Sequence, residues 1–195
     1  SFLQNNLLKN LPETSVVRGW YSHRQLMEMN LEKNLIISDE GISGRFLHKD
    51  YPLDFYTNIK KLKKIYGNPK IIFGIRNQKS FILSFYKQYL QEQGFESFNF
   101  LFDIHNMGLR KHEDFLLTPK IQYLQENFTN VFIYSQESLF ERQNDFIDSL
   151  KEFLEIKGEI NILKNSHDNI GVKTNLQVRY LKRLNKLSFM LKRIH

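Results

Sequence analysis

An arginine and a serine lie eight residues apart where an apolar run gives way to a helical pattern. The segment "KIIFGIRNQKSFILSFYKQYL" covers residues 70–90, with Arg76 at the change-over and Ser84 further along. A guanidinium can hold a phosphate through two hydrogen bonds, and a helix N-terminus favours an anion. The pair therefore suits a bound phosphate. An arginine at a strand end is more commonly a surface ion-pair residue, and the residues alone leave both interpretations open.

The elements that would position this pair are short apolar runs alternating with helical patterns. The runs "NLIIS", "PKIIFGI" and "NVFIYS" predict buried strands, and "SVVRGW" predicts a further short one. Helical spacing covers 1–11, 24–34, 56–67, 78–93, 119–128, 143–158 and 174–195. We expect Gly67 near a C-cap, Gly94 past the end of its helix and Gly158 as a helix stop. Apolar strands separated by helices predict a parallel sheet covered on both faces, and so one α/β domain over residues 1–195.

Ligands of such sheets bind beyond the carboxyl ends of the strands. Arg76 directly follows Ile75, and Asp39-Glu40 comes just after Ile37. We therefore expect basic and acidic groups at one edge of the sheet. A solvated acidic turn is the alternative interpretation of Asp39-Glu40.

The net charge of +7 is concentrated at the C-terminal end. Residues 173–195 carry seven Lys/Arg and no acid, so 28 − 7 leaves 21 basic residues against 21 acidic ones elsewhere. An apolar stripe of Leu181, Leu184, Leu187, Leu191 and Ile194 is flanked by basic residues. Such a helix either packs on the sheet or lies at an anionic membrane surface. The absence of cysteine mildly favours a reducing compartment, and we expect a cytoplasmic protein with peripheral membrane contact.

The segment "IRNQKSFILSFYKQYL" resembles the 3′-phosphate-binding segment of the PAPS-dependent sulfotransferases, notably the bacterial and Golgi-type carbohydrate sulfotransferases. Arg76, Ser84 and Tyr86 match that segment in type and spacing, although Gln78 replaces the usual proline. Four other stretches are similar in the same order: "SFLQNNLL" to the end of the 5′-phosphosulfate loop, "LIISDEGIS" to the second strand and acidic loop, "NVFIYSQESLFERQNDFIDSLKEFLEI" to a strand and long helix, and "HDNIGVKTNLQVRYLKRLNKL" to the C-terminal loop and helix.

The resemblance implies a P-loop-like three-layer fold, with a parallel sheet flanked by helices, that transfers a sulfuryl group from PAPS to a glycan or lipid-linked carbohydrate. It implies that Ser1, Arg76, Ser84 and Lys173 bind the PAPS or PAP nucleotide without a metal. It implies Glu40 as general base, with His48 as the alternative. The family's catalytic lysine would precede Ser1, so the sequence as it stands predicts weak or no transfer.

Two other classes of function compete with this interpretation. A P-loop kinase-like enzyme would share the fold and a phosphate site at a helix terminus. A nucleic-acid-binding domain would use the basic tail, but the excess charge lies in one helix and no nucleic-acid-binding motif is present. We therefore expect no nucleic-acid partner.

Overall fold

The computed structural model describes residues 14–18, 34–38, 40–44, 46, 51, 53–157 and 174–192. The elements in these ranges are, in order, β1 (Thr14–Arg18), β2 (Asn34–Ser38), α1 (Leu53–Tyr66), β3 (Ile71–Ile75), α2 (Gln78–Gln91), α3 (Phe98–Leu101), α4 (Thr118–Asn127), β4 (Val131–Ser135), α5 (Gln136–Glu141), α6 (Gln143–Leu154) and α7 (Asn175–Lys192). Two 3-10 helices cover Glu40–Ser43 and His112–Phe115. The helix predicted over 1–11 lies outside the described residues, and so does the one predicted over 24–34 except for Asn34, which begins β2.

Strand pairing is parallel throughout the described part of the chain. β1 pairs with β2 and β3 pairs with β4, the latter with Ile71 opposite Val131 and Ile75 opposite Ser135. The two pairs form separate two-stranded sheets among these residues. The protein is therefore a mixed helix-and-strand chain with small parallel sheets, which is compatible with the predicted α/β class.

The β3–β4 pair carries apolar clusters on both faces, because successive side chains of a strand point to opposite sides. Ile71, Phe73 and Val131 pack against a cluster contributed by α1, α4 and the residue that follows α4, with Phe55 and Leu124 at its centre. Ile72, Phe132 and Tyr134 pack against a second cluster contributed by α5 and α6: Leu139, Phe146 and Leu150. Helices thus cover both sides of this pair, as the apolar composition of the strands predicted.

The prediction that the strands are buried was wrong in degree. Every residue of β4 is only partly buried, and so is every residue of β3 except Gly74, which is exposed. Each strand has a single hydrogen-bonded neighbour in the described part of the chain, so its other edge carries no strand there. Gly74 has a packing role, because a Cβ there would lie 2.6 Å from the Tyr134 hydroxyl.

Helix ends agree with the sequence at two glycines and differ at one. Gly67 ends α1 with a positive φ of 71°, as predicted. Gly94 lies past the end of α2, as predicted, whereas the stop predicted at Gly158 was wrong. The left-handed residues after α2 and α6 are Gln93 and Glu155. In both places the next residue's amide bonds five positions back, Gly94 to Tyr89 and Ile156 to Lys151, which closes a Schellman cap without glycine at C′.

The chain divides into two compact units, one with residues 1–75 and 117–167 and one with residues 76–116 and 168–195. Both strand pairs and the two apolar clusters belong to the first unit. In the second unit α7 packs on α2: the Asn185 amide donates to the carbonyls of Leu90 and Gly94, both at 2.7 Å, and Phe189 meets the Phe95 ring. The description of the chain as a single domain stays a prediction. Among the described residues, none of the helices combines the length and apolarity that crossing a bilayer requires.

Candidate functional site

Arg76 lies where the sequence predicted, directly after the last residue of β3 and two residues before α2 begins. Its side chain is exposed, and it forms no ion pair or hydrogen bond with any described residue. The alternative interpretation, a surface ion-pair residue, therefore has no partner in the described part of the chain. An exposed and unpaired guanidinium is available to bind an anion without first breaking a salt bridge.

Ser84 lies on the exposed face of α2, one and a half turns after its start. At 100° per residue it shares that face with Ser80 and Lys87, and all three side chains are exposed. Residues 76–91 contain Arg76, Lys79 and Lys87 and no acidic residue. Residues 76–91 therefore present serine hydroxyl groups among positive charges, an arrangement that favours a phosphate.

The N-terminus of α2 is capped by Asn77, whose side-chain oxygen accepts from the Ser80 amide at 3.2 Å. The Gln78 and Lys79 amides remain as first-turn donors without an intrahelical acceptor. Gln78 donates through its side chain to the Phe115 carbonyl at 2.9 Å. This bond ties the beginning of α2 to the 3-10 helix His112–Phe115.

Sequence reasoning missed Asn77, Ser80 and Lys87. Asn77 could have been found from the helix-start signal of an asparagine directly before the first residues of a helical pattern. Lys87 could have been found from its position three residues after Ser84, which places both on one helical face.

For Glu40, the predicted general base, the structure describes the backbone and not the side chain. Glu40 begins the 3-10 helix Glu40–Ser43, which is separated from the end of β2 by one residue, while its side chain lies outside the described atoms. The Asn58 side chain holds this helix on α1 by donating to the Gly41 carbonyl at 2.9 Å. The backbone that carries Glu40 is therefore fixed at the carboxyl end of β2, as predicted. Ser1, His48 and Lys173 lie outside the described residues.

The acidic residues of the loop between α3 and α4 serve its structure. The Asp103 carboxylate accepts from the amides of His105 and Met107, at 2.8 and 3.2 Å. The Glu113 carboxylate accepts from the Asn106 side chain. Backbone and Asn106 hydrogen bonds hold the pKa of Glu113 below its usual value, so the group stays ionised as an acceptor.

A surface depression of about 300 Å³ lies in the first unit, around Lys63, Asn68 and residues 125–129, and none of the predicted site residues lines it.

Comparison with known proteins found no matching family model, no matching curated protein and no matching solved structure. The resemblance to the PAPS-dependent sulfotransferases therefore stays a prediction, and it is supported only by the residues that carry it.

Proposed function

We propose that the chain is a sulfotransferase-type domain that binds the 3′-phosphate of PAP or PAPS through Arg76 and Ser84. The observation that carries the proposal is the unpaired, exposed Arg76, which directly follows β3 and precedes α2 by two residues, in a segment 76–91 without an acidic residue. The resemblance supplies the identity of the anion. A P-loop-like three-layer fold, with a parallel sheet flanked by helices, is part of the same proposal, and the apolar clusters on both faces of β3–β4 support it.

Each group has a defined task in this proposal. Arg76 grips the 3′-phosphate, Ser84 donates its hydroxyl, and the first amides of α2 add positive potential. PAPS would supply a sulfuryl group on a phosphate leaving group, and transfer in line to an acceptor hydroxyl or amine depends mainly on positioning and on charge stabilisation. Glu40 takes the acceptor proton, Ser1 contributes to the phosphosulfate loop, and Lys173 lies over the nucleotide. The acceptor is a glycan or a lipid-linked carbohydrate.

Calorimetry with two nucleotides tests the assignment of the 3′-phosphate. PAP carries this phosphate and 5′-AMP lacks it, so we expect the chain to prefer PAP. Replacing Arg76→Ala should weaken PAP binding by about 2–3 kcal/mol, roughly 30- to 160-fold in Kd, and leave 5′-AMP binding nearly unchanged. Lys64→Ala, which removes one exposed charge from α1, is the matched control and should change neither affinity.

The comparison also separates the competing functions. Equal PAP affinity in folded Arg76→Ala and native protein contradicts the site. Tighter binding of ATP than of PAP would favour a kinase-like enzyme, and tight binding of single-stranded DNA would favour a nucleic-acid-binding domain.

A further inference from the structure

The exposed apolar side chains are concentrated in the second unit. Of the fifteen large hydrophobic residues that are exposed in the described part of the chain, only Leu53 and Phe140 lie in the first unit. Seven of the other thirteen belong to α7. A soluble domain normally scatters such residues singly, so a concentration on one helix marks a surface that contacts something else.

The side chains of α7 form an inner face, an outer apolar face and a basic flank. Leu181 and Asn185 are half-buried on the side that packs on α2. The opposite side is an outer apolar face, defined by side chains that are 43–79% exposed and fall within about 80° of arc at 100° per residue. Its members are Leu176, Tyr180, Leu184, Leu187 and Leu191. The stripe predicted from sequence was therefore displaced, since Leu181 faces inward and Ile194 lies outside the described residues.

A basic flank runs along one edge of the outer apolar face. It consists of Arg179, Arg183 and Lys186, all exposed. Residues 174–192 contain five Lys/Arg and no acid, so no carboxylate on this helix neutralises the flank. Apolar side chains beside uncompensated positive charge match the boundary between acyl chains and anionic headgroups of a bilayer.

We propose that the outer apolar face and the basic flank of α7 dock in the plane of an anionic phospholipid surface. The leucines enter the acyl boundary, the basic flank meets the headgroups, and Asn185 keeps the inner face on α2. A second copy of this chain is a poorer occupant, because two uncompensated basic flanks would repel each other. A nucleic acid is poorer too, because its phosphates would leave the five apolar side chains without apolar contact.

The absence of cysteine gives a direct test, because one introduced cysteine is a unique labelling site. We would label Leu187→Cys on the outer apolar face and Lys64→Cys on α1 with a polarity-sensitive fluorophore. With vesicles of phosphatidylcholine and phosphatidylglycerol at low salt, the label at 187 should shift to the blue and the label at 64 should not. Added salt should reduce the shift, because screening weakens the headgroup attraction.

Two matched substitutions separate the apolar and ionic contributions in vesicle co-sedimentation. Arg183→Gln with Lys186→Gln should lower partitioning roughly 25-fold, about fivefold for each charge near the surface. Lys60→Gln with Lys61→Gln removes equal charge from exposed positions of α1 and should have little effect. Leu184→Gln with Leu187→Gln should lower partitioning at least tenfold. Circular dichroism should show native helix content in each variant.

Several results would overturn the proposal. They are the absence of a shift at 187, equal binding to pure phosphatidylcholine vesicles, and equal losses in the Lys60/Lys61 and Arg183/Lys186 variants. A shift that depends on protein concentration without lipid would identify a second copy of the chain as the occupant. A shift produced by nucleic acid and not by vesicles would identify that partner instead.

Discussion

Single residues determine how the helix ends are built. After α2, Gln93 takes the left-handed conformation with φ of 72°, and the buried Gly94 lets the Tyr89 ring approach its backbone. The Tyr89 hydroxyl in turn accepts from the Glu96 amide at 3.3 Å. Gln93 thus provides the turn, and Gly94 provides the space for the Tyr89 ring.

Gly94→Ala should lower the free energy of unfolding by about 2–3 kcal/mol, since its Cβ would lie 2.3 Å from the Tyr89 ring and would displace it. Urea unfolding measures the loss. Gly67→Ala is the control: its added Cβ meets no atom within 4 Å, so only its φ of 71° is unfavourable, by about 1 kcal/mol. A smaller loss at Gly94 than at Gly67 would contradict the close approach.

Gln93→Gly should raise the free energy of unfolding by up to about 1 kcal/mol, because glycine adopts the left-handed conformation without a Cβ clash. The same substitution at Gln91, the last residue of α2, should destabilise by a similar amount, since its conformation is helical. Opposite signs at the two positions, measured by urea unfolding, would confirm where α2 ends. Equal losses would contradict it.

At the scale of elements, helices are joined by side chains that reach carbonyls at helix ends. The Asn185 side chain of α7 donates to the Leu90 carbonyl in the last turn of α2 and to the Gly94 carbonyl just after that helix. Tyr86 of α2 donates to the Glu96 carbonyl at 3.1 Å, and burial, helped by neighbouring Tyr89, raises the pKa of Tyr86 so that it stays a donor. In the first unit, the Lys70 ammonium before β3 donates to the Phe153 carbonyl in the last turn of α6 and to the Glu155 carboxylate.

Asn185→Ala should lower the free energy of unfolding by about 1–3 kcal/mol, because it leaves two carbonyls of buried residues without their donor. Thermal or urea unfolding measures this loss. The next residue offers a control on the same helix, since Lys186→Ala alters an exposed side chain and should stay within about 0.5 kcal/mol. Similar losses in both variants would show that helix propensity, and not the bridge to α2, governs the effect.

The Lys70–Glu155 pair should make stability depend on pH in the acid range. The hydrogen bond and the charge of Lys70 hold the pKa of Glu155 below its usual 4.5. A carboxylate with a lowered folded-state pKa contributes stability above its unfolded pKa and loses it as pH falls through the folded pKa. Glu155→Gln should therefore be less stable than the native chain at neutral pH, with the difference fading below pH 4.5. If the two chains differ in stability by the same amount at every pH in that range, the loss comes from the left-handed backbone at residue 155 and not from the ion pair.

At the scale of the whole molecule, α7 has separate structural and exposed faces. Removing residues 174–195 should destabilise the second unit, because the bonds from Asn185 and the Phe95–Phe189 contact are lost. Replacing Leu184, Leu187 and Leu191 together by Gln should leave the melting temperature within a few degrees of the native value, since all three are exposed. Differential scanning calorimetry of the two variants tests this. Equal destabilisation would mean that the outer apolar face is covered in the folded chain.

The elements that the sequence predicted well are those whose signals are local. Apolar runs located β3 and β4, and caps and periodicity located α1, α2, α4 and α7 within a few residues. The end of α6 escaped prediction because its left-handed residue is Glu155, and a non-glycine residue in that conformation gives no glycine signal in the sequence. The bridge from Asn185 joins residues more than ninety positions apart, and no local pattern encodes it. In the candidate site, the positions of Arg76 and Ser84 were predictable, because the end of a strand and the exposed face of a helix can be read from neighbouring residues.

The register of β3 and β4 has a consequence for how the protein is made. Each residue of β3 pairs with one sixty positions later, as Ile71 does with Val131. At about 5–20 residues per second, a ribosome completes β3 roughly 3–12 s before its partner strand is synthesised. During that interval the nascent chain carries the apolar "IIFGI" edge without β4. We therefore expect chaperones that bind extended apolar segments to engage this stretch of the nascent chain, and to leave it once β4 is synthesised.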